Sequence, residues 1–232
     1  MVMNSTSAII DARAPHEAIE KLREHGDVFL FRSYDVTYDA VSCHPDVFIF
    51  QSAQGLVVAP NTPPDCLEFL TGRGIIFLFG QSLVGNELGN TTQYNCIATR
   101  THFFHKQGYT DEVVVGLNTR PLVSLPQAYT RCSMFAVDDR SFITSDKGIE
   151  RVLVNHGFSC FYCDPSPIVL PPSRYGFIGG CMGMKDNILF VTGSLQSLDK
   201  GNELREFILR RGISIVELSN GKLYDGGGIF FV

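Results

Sequence analysis

The chain has 232 residues, 44% of them hydrophobic and 19% charged, a balance that fits a packed globular protein and excludes disorder as the main state. At this length about two thirds to three quarters of the unfolded surface can be buried, so a core is available without disulfides or metal. Nineteen Lys and Arg against 24 Asp and Glu give a net charge of −5 without a block of like charges, which argues against nucleic acid as a partner.

The N-terminal stretch has no basic segment leading into an apolar one, and the longest apolar runs, such as 75–79, fall far short of the ~20 residues of a membrane helix. Neither a secretion signal nor a membrane partner is expected. Seven cysteines, an odd count, fit reduced thiols in a cytoplasmic protein better than a disulfide framework.

The elements follow a repeating order. Residues 8–11 read as a strand, Pro15 opens a helix, and the helix stops at Gly26 before the strand 27–31. A hairpin at 47–60 precedes a helix that Asn61 and two prolines would cap, and this helix stops at Gly74 before 75–79. A second hairpin at 95–106 leads to a helix over 111–120, with Pro121 in the place of Gly, and a strand at 122–125. The third hairpin, 133–145, and the fourth, 181–192, lead to helices that stop at Gly157 and Gly212, each followed by a strand. Residues 226–232 form a last strand with no partner nearby in sequence, and pairing it with residues 7–11 would close a ring.

These joins define five ββαβ units, at about 7–32 plus 226–232, 44–82, 94–127, 132–165 and 179–220, within a single α/β domain spanning 1–232. The fold expected is a five-bladed pseudo-symmetric ββαβ propeller closed by the C-terminal strand. Helical positions such as Ile149, Val152 and Leu153 carry the apolar face. The loops at 33–43, 80–93 and 165–178 are long, and long loops are where binding tends to reside.

The repeat places distant residues together. The turns that open the hairpins hold Cys43, His44, Pro45 and Asp46; then Tyr94, Asn95 and Cys96; then Arg131, Cys132 and Ser133; then Gly179, Gly180 and Cys181; and finally Asp225 with Gly226–Gly228. One mouth of the ring would gather His44, Asp46, Cys96, Cys132, Cys181 and Asp225, provided the strand register holds. Thiol, imidazole and carboxylate together are the parts of nucleophilic catalysis. Singly, His44 reads as a structural hydrogen-bonding residue, each Cys as a small hydrophobe and Asp46 as a turn residue. Cys160 and Cys163 would point to opposite faces of one strand and form neither a zinc knuckle nor a redox pair. Tyr175 stands beside the mouth.

A five-unit ββαβ ring ending in Gly-Gly-Gly-Ile resembles the pentein superfamily of guanidino-group-modifying enzymes, and within it an uncharacterised bacterial branch. The strings that carry the resemblance are Asp11-x-Arg13-Ala-Pro15, Cys43-His44-Pro45-Asp46, Val58-Ala59-Pro60-Asn61, Tyr109-Thr110-Asp111, Cys132-Ser133, Asp146-Lys147-Gly148-Ile149, residues 176–180 and residues 224–229. The resemblance implies a guanidino or amidino small molecule as partner, held by acidic side chains and attacked by a Cys thiolate with His as acid and base, without a cofactor. In agmatine-deiminase-like members the nucleophile follows the closing glycines, and Phe231 stands at that position here.

Two functions follow. In one, a thiol-dependent hydrolase or amidinotransferase-like enzyme uses Cys132 as nucleophile, His44 as acid and base and Asp46 beside it. Arg131 would then lower the thiol pKa, and Asp225, Cys181, Gly180, Asn95 and Tyr175 would bind substrate. In the other, the fold binds a small molecule or a protein without covalent catalysis, as a translation initiation factor of this architecture does. A zinc site would draw on Cys96, Cys132, Cys181 and His44, though their spacing is not that of a zinc motif.

Overall fold

The computed structural model describes residues 7–232; residues 1–6, part of the N-terminal stretch expected to hold no secretion signal, lie outside the described residues. In chain order the first unit is β1 (Ser7–Asp11), α1 (His16–Arg23) and β2 (Asp27–Phe31). The second is β3 (Ile49–Ser52), β4 (Gly55–Val58), α2 (Pro64–Gly72) and β5 (Phe77–Phe79), followed by the short helix α3 (Leu88–Thr91). The third is β6 (Ile97–Ala98), β7 (Phe103–His105), α4 (Glu112–Leu117) and β8 (Leu122–Ser124), followed by the single helical turn α5 (Thr130–Ser133). The fourth is β9 (Met134–Ala136), β10 (Ser141–Thr144), α6 (Lys147–Asn155) and β11 (Ser159–Tyr162). The fifth is β12 (Met182–Lys185), β13 (Ile188–Val191), α7 (Gly201–Leu209) and β14 (Ser214–Glu217), and β15 (Phe230–Phe231) ends the chain.

Each unit makes one three-stranded sheet whose middle strand pairs antiparallel on one side and parallel, across its helix, on the other. The first sheet borrows its antiparallel strand from the far end of the chain: Ala8 pairs with Phe231 and Ile9 with Phe230. The parallel pairing requires each helix to stop sharply. Gly74, Gly157 and Gly212 do this at φ of 69°, 75° and 72°, a backbone that a Cβ disfavours.

The apolar helix faces sink onto the sheets. Ile149 and Leu153 of α6, and Leu204 and Ile208 of α7, are fully buried, and lost water contact of this kind supplies most of what holds a short helix in place. Asp111 and Asp146 cap α4 and α6 by accepting backbone N–H groups. Asn61 departs from its expected role. Pro63 takes the cap position of α2, while the Asn61 amide exchanges hydrogen bonds of 2.8 and 3.0 Å with the backbone of Val84 and so pins the 80–93 loop. All seven cysteines are free thiols. Among the described residues no helix is long and apolar enough to cross a membrane.

Candidate active site

The residues that lead into three of the antiparallel strands adopt single helical turns, Pro45–Val47 before β3, Thr130–Ser133 before β9 and Gly179–Cys181 before β12. These turns, together with the return into β15, meet at one point. His44, Asp46, Cys132 and Asp225 are all buried there.

The Cys132 thiol donates a 2.8 Å hydrogen bond to Asp46 Oδ2. Asn95 supports the thiol from behind: its Nδ2 donates to Cys132 Sγ at 3.5 Å, while its Oδ1 accepts the N–H groups of Arg131 at 2.7 Å and Cys132 at 3.2 Å. His44 stands between two carboxylates, with Nε2 3.9 Å from Asp11 Oδ2 and Nδ1 4.0 Å from Asp46 Oδ1. Both distances exceed a hydrogen bond. Neither ring nitrogen of His44 nor Asp46 Oδ1 has a hydrogen-bond partner among the described residues. Asp225 accepts the N–H of Phe177 at 2.8 Å on Oδ2 and that of Gly227 at 3.1 Å on Oδ1.

Two arginines answer these carboxylates. Arg131 is half-buried: its guanidinium donates to the carbonyls of Gly179 (2.6 Å) and Met182 (2.8 Å) and lies 5.4 and 5.5 Å from the ring centres of Phe135 and Phe230. Arg13 grips Asp11 through Nε at 3.2 Å and Nη2 at 3.0 Å, and also donates to the carbonyls of Asp39 and Ala40. It thereby ties the 33–43 loop to the first sheet.

The closing glycines are required by close approach. A Cβ on Gly227 (φ +69°) would lie 2.6 Å from both Asp46 Oδ1 and His44 Cβ, and one on Gly180 would lie 1.8 Å from Asp225 Oδ1. Gly180 thus makes room for the carboxylate.

Burial dominates the electrostatics. Asp46 is pushed up to about 6 and Asp225 to about 7, in each case because desolvation outweighs the groups that favour the charge, Arg131 for Asp46 and backbone N–H groups for Asp225. His44 is pushed down to about 3 by the same desolvation, with Arg13 adding to it, so the imidazole is neutral. Burial and the nearby carboxylates of Asp46 and Asp225 hold the Cys132 thiol well above its ordinary value. This corrects the expectation that Arg131 would acidify the thiol, since that guanidinium is spent on two backbone carbonyls and the nearer neighbours are acidic.

A cavity of about 360 Å³ opens onto this point. His44, Cys132 and Asp225 line its floor, and Tyr38, Tyr129, Tyr175, Phe177 and Leu170 are among its walls. Apart from Tyr129, which precedes α5, these wall residues come from the 33–43 and 165–178 loops, two of the three long loops. Tyr38 and Tyr129 join through their hydroxyls, and Tyr129 also bonds Thr91 at 2.5 Å, so the 80–93 loop acts as a support. Arg174 stands exposed at the rim and forms no ion pair or hydrogen bond among the described residues.

The structure therefore brings His44, Asp46, Cys132, Asp225, Asn95 and Gly180 together, and places Tyr175 on the cavity wall. Asn95, Gly180 and Asp46 lie behind the lining residues and position them. Cys181 turns toward the carbonyl of Phe177 at 3.3 Å inside the core, and Cys96 toward that of Tyr94 at 3.6 Å. Neither joins the donor set for a metal: the group of ligating atoms that converges is His44, Cys132 and Asp225, all within 4.8 Å of one another. The sequence pattern assigns no role to Asp11, Arg13, Tyr38 and Tyr129. The Asp11-x-Arg13 string is a visible signal for the first two; the tyrosine pair leaves none.

A family model described as a family of unknown function (DUF6873) matches residues 9–230. No curated protein matches the chain in sequence. Among solved structures, the substrate-bound agmatine deiminase of C. jejuni, a Cys-to-Ser mutant, aligns with a TM-score of 0.55 at 10% identity, covering 98% of this chain and 93% of that one. The DDAH of Pseudomonas aeruginosa, complexed with citrulline, aligns at 0.53 and 8% identity over 92% of this chain and 91% of its own. SxtG, an amidinotransferase of Microseira wollei from the saxitoxin biosynthetic pathway, aligns at 0.53 and 9% identity, with 92% and 88% covered. All three carry the pentein fold, and this chain shares it.

Proposed function

The chain belongs to DUF6873, a family of unknown function, and from that premise we propose that its cavity takes a small molecule with a guanidino or amidino head, on which Cys132 acts as the nucleophile of a hydrolase or amidinotransferase. The observation that carries this reading is the cavity floor, where a thiol, an imidazole and a carboxylate meet within 4.8 Å at the end of a pocket open to solvent. A planar cation placed there would donate hydrogen bonds to Asp225 and gain charge compensation from Asp46, in the geometry that favours carboxylate–guanidinium pairs. It would also ionise the two carboxyls held near 6 and 7 and bring the thiol down.

The reaction follows from these contacts. As Sγ bonds to the central carbon, the thiol proton passes to Asp46, its 2.8 Å partner. The C–N bond then breaks, and the proton moves by way of His44 to the leaving nitrogen. In hydrolysis, water attacks the S-linked carbon, gives a proton back through His44 and releases the thiol; an amine in place of water gives group transfer. Arg174 at the rim suits a substrate whose far end is anionic. We further read the five sheets as blades of one closed ring and a single domain, supported by the β1–β15 pairing and by the contacts of β3 with β6 and β12 with β15.

A non-catalytic binding role is the second reading, favoured by Phe231, which stands 4.8 Å ring-to-ring from Phe190 and puts an apolar side chain at the sequence position where agmatine-deiminase-like members carry the nucleophile. A panel of guanidino compounds assayed for released ammonia or amine separates the two. Turnover that disappears in Cys132→Ala supports the enzyme; a ligand-induced rise in Tm with no product, equal in both proteins, supports the binding module.

A further inference from the structure

We propose that His44, Cys132 and Asp225 form a binding site for a thiophilic divalent transition-metal ion of the zinc type, and that this ion and a cationic amidine exclude one another from the cavity. The inference shares the cavity with the proposed function but does not depend on covalent catalysis.

Three separate segments deliver one nitrogen, one sulfur and one oxygen donor to within 4.8 Å of one another. That is the mixed N, S, O set zinc accepts, and three protein ligands with a fourth position open is the pattern of an exchangeable rather than a sealed site. All three residues line the solvent-connected cavity, which supplies both the path for the ion and the open position.

The second observation is independent of the donor set. His44 is 1% exposed, yet both its ring nitrogens lack a partner among the described residues, and a buried polar group left unpaired carries a real cost. Metal ligation would satisfy one nitrogen. The other faces a carboxylate in either orientation, Asp11 at 3.9 Å from Nε2 or Asp46 at 4.0 Å from Nδ1. A carboxylate behind a ligating His is the outer-shell arrangement that fixes the ring in metal sites.

Tetrahedral bond lengths of about 2.0–2.3 Å put ligand atoms roughly 3.5 Å apart, so the widest edge of the triangle closes by about 1 Å on binding. His44 can make that adjustment because no hydrogen bond holds its ring. Each Asp225 oxygen keeps a lone pair beyond the one used by Phe177 or Gly227. Cys132 gives up the proton it shares with Asp46: the S–H bond breaks, the S–metal bond forms, one proton leaves to solvent, and no electron is transferred.

The test is titration of the purified full chain with Co²⁺ as a spectroscopic stand-in and with Zn²⁺ under chelator competition, followed by a guanidinium compound as displacer. The account expects one ion per chain, a thiolate-to-cobalt charge-transfer band, about one proton released per ion, loss of the band in Cys132→Ser, and affinity reduced about tenfold or more in His44→Ala and Asp225→Asn. Displacement of the ion by the guanidinium compound completes it. Where a variant fails to fold, the wild-type band, stoichiometry and displacement decide alone. Binding without a thiolate band, or a band that survives Cys132→Ser and so belongs to another thiol such as Cys160, overturns the proposal. Covalent labelling of Cys132 by an amidine reagent with no cobalt band would sink the metal site and leave the proposed function standing; a band without labelling does the reverse.

Discussion

The thiol of Cys132 and the carboxylate of Asp46, 86 positions apart in the chain, share a 2.8 Å hydrogen bond inside the protein. Burial makes both resist ionisation, and Asp46 raises the thiol further, while the thiol's hydrogen bond only partly offsets the burial of the carboxylate. The pair therefore waits for a positive charge, and that dependence yields the first prediction. Asp46→Asn removes the negative neighbour, so Cys132 reacts faster with a neutral alkylating reagent while losing its preference for a cationic one. Alkylation rates for a haloacetamide and a haloacetamidine, compared in wild type and variant, check this; an unchanged ratio contradicts it.

The pH dependence of stability tests the burial of Asp225. Its pKa stands at about 7 against 3.8 for the ordinary group. A carboxyl with a raised folded value favours the native state at low pH, and this contribution is lost as pH rises from about 4 through about 7. Asp225→Asn has no such loss, so its stability relative to wild type should improve by about 2–4 kcal/mol between pH 4 and pH 8. His44, lowered to about 3, acts in the opposite sense over pH 3 to 6.5 in both proteins and cancels in the difference. Denaturant melts across that range provide the measurement, and parallel curves would contradict it.

Gly180→Ala addresses the packing. The added Cβ would lie 1.8 Å from Asp225 Oδ1, and the carboxylate can move only by releasing Phe177 or Gly227. A loss of at least about 2 kcal/mol is expected by chemical denaturation. Gly72→Ala meets nothing within 4 Å and serves as the control, with an effect near zero or stabilising.

At the rim, Arg174→Ala should weaken ligands that carry a carboxylate opposite their amidine end by about fivefold, the worth of a partly exposed ion pair near 1 kcal/mol. Ligands without the carboxylate should bind as before. Calorimetric titration with one ligand of each kind decides it, and equal weakening of both would remove Arg174 from recognition.

Much of this arrangement is legible in the sequence. Gly74, Gly157 and Gly212 mark the helix stops because only a residue without Cβ enters the left-handed turn cheaply, and the spacing of those stops reveals the five units. From the units, the leading turns align, which is why His44, Asp46, Cys132 and Asp225 can be gathered from distant segments. The same logic misplaces Cys96, because it is the immediate neighbour of Asn95: one residue of register sends Asn95 to the thiol and Cys96 to the core. It also gives Arg131 the wrong effect on its neighbour, since a sequence does not reveal that the guanidinium is bound to Gly179 and Met182. The Tyr38–Tyr129 wall depends on how the 33–43 loop folds back onto the segment that leads into α5, and loop shape carries no periodic signal.

The most direct test of the central claim, that the cavity floor receives an amidine-type cation beside a reactive Cys132, is labelling with a small haloacetamidine and peptide mass spectrometry across pH 6–9. The account predicts modification of Cys132 ahead of the six other cysteines, faster as pH rises through the range where Asp46 and Asp225 ionise, blocked by guanidino compounds and abolished in Cys132→Ala. Slow, unselective labelling of the more accessible Cys160, untouched by guanidino compounds, would contradict it.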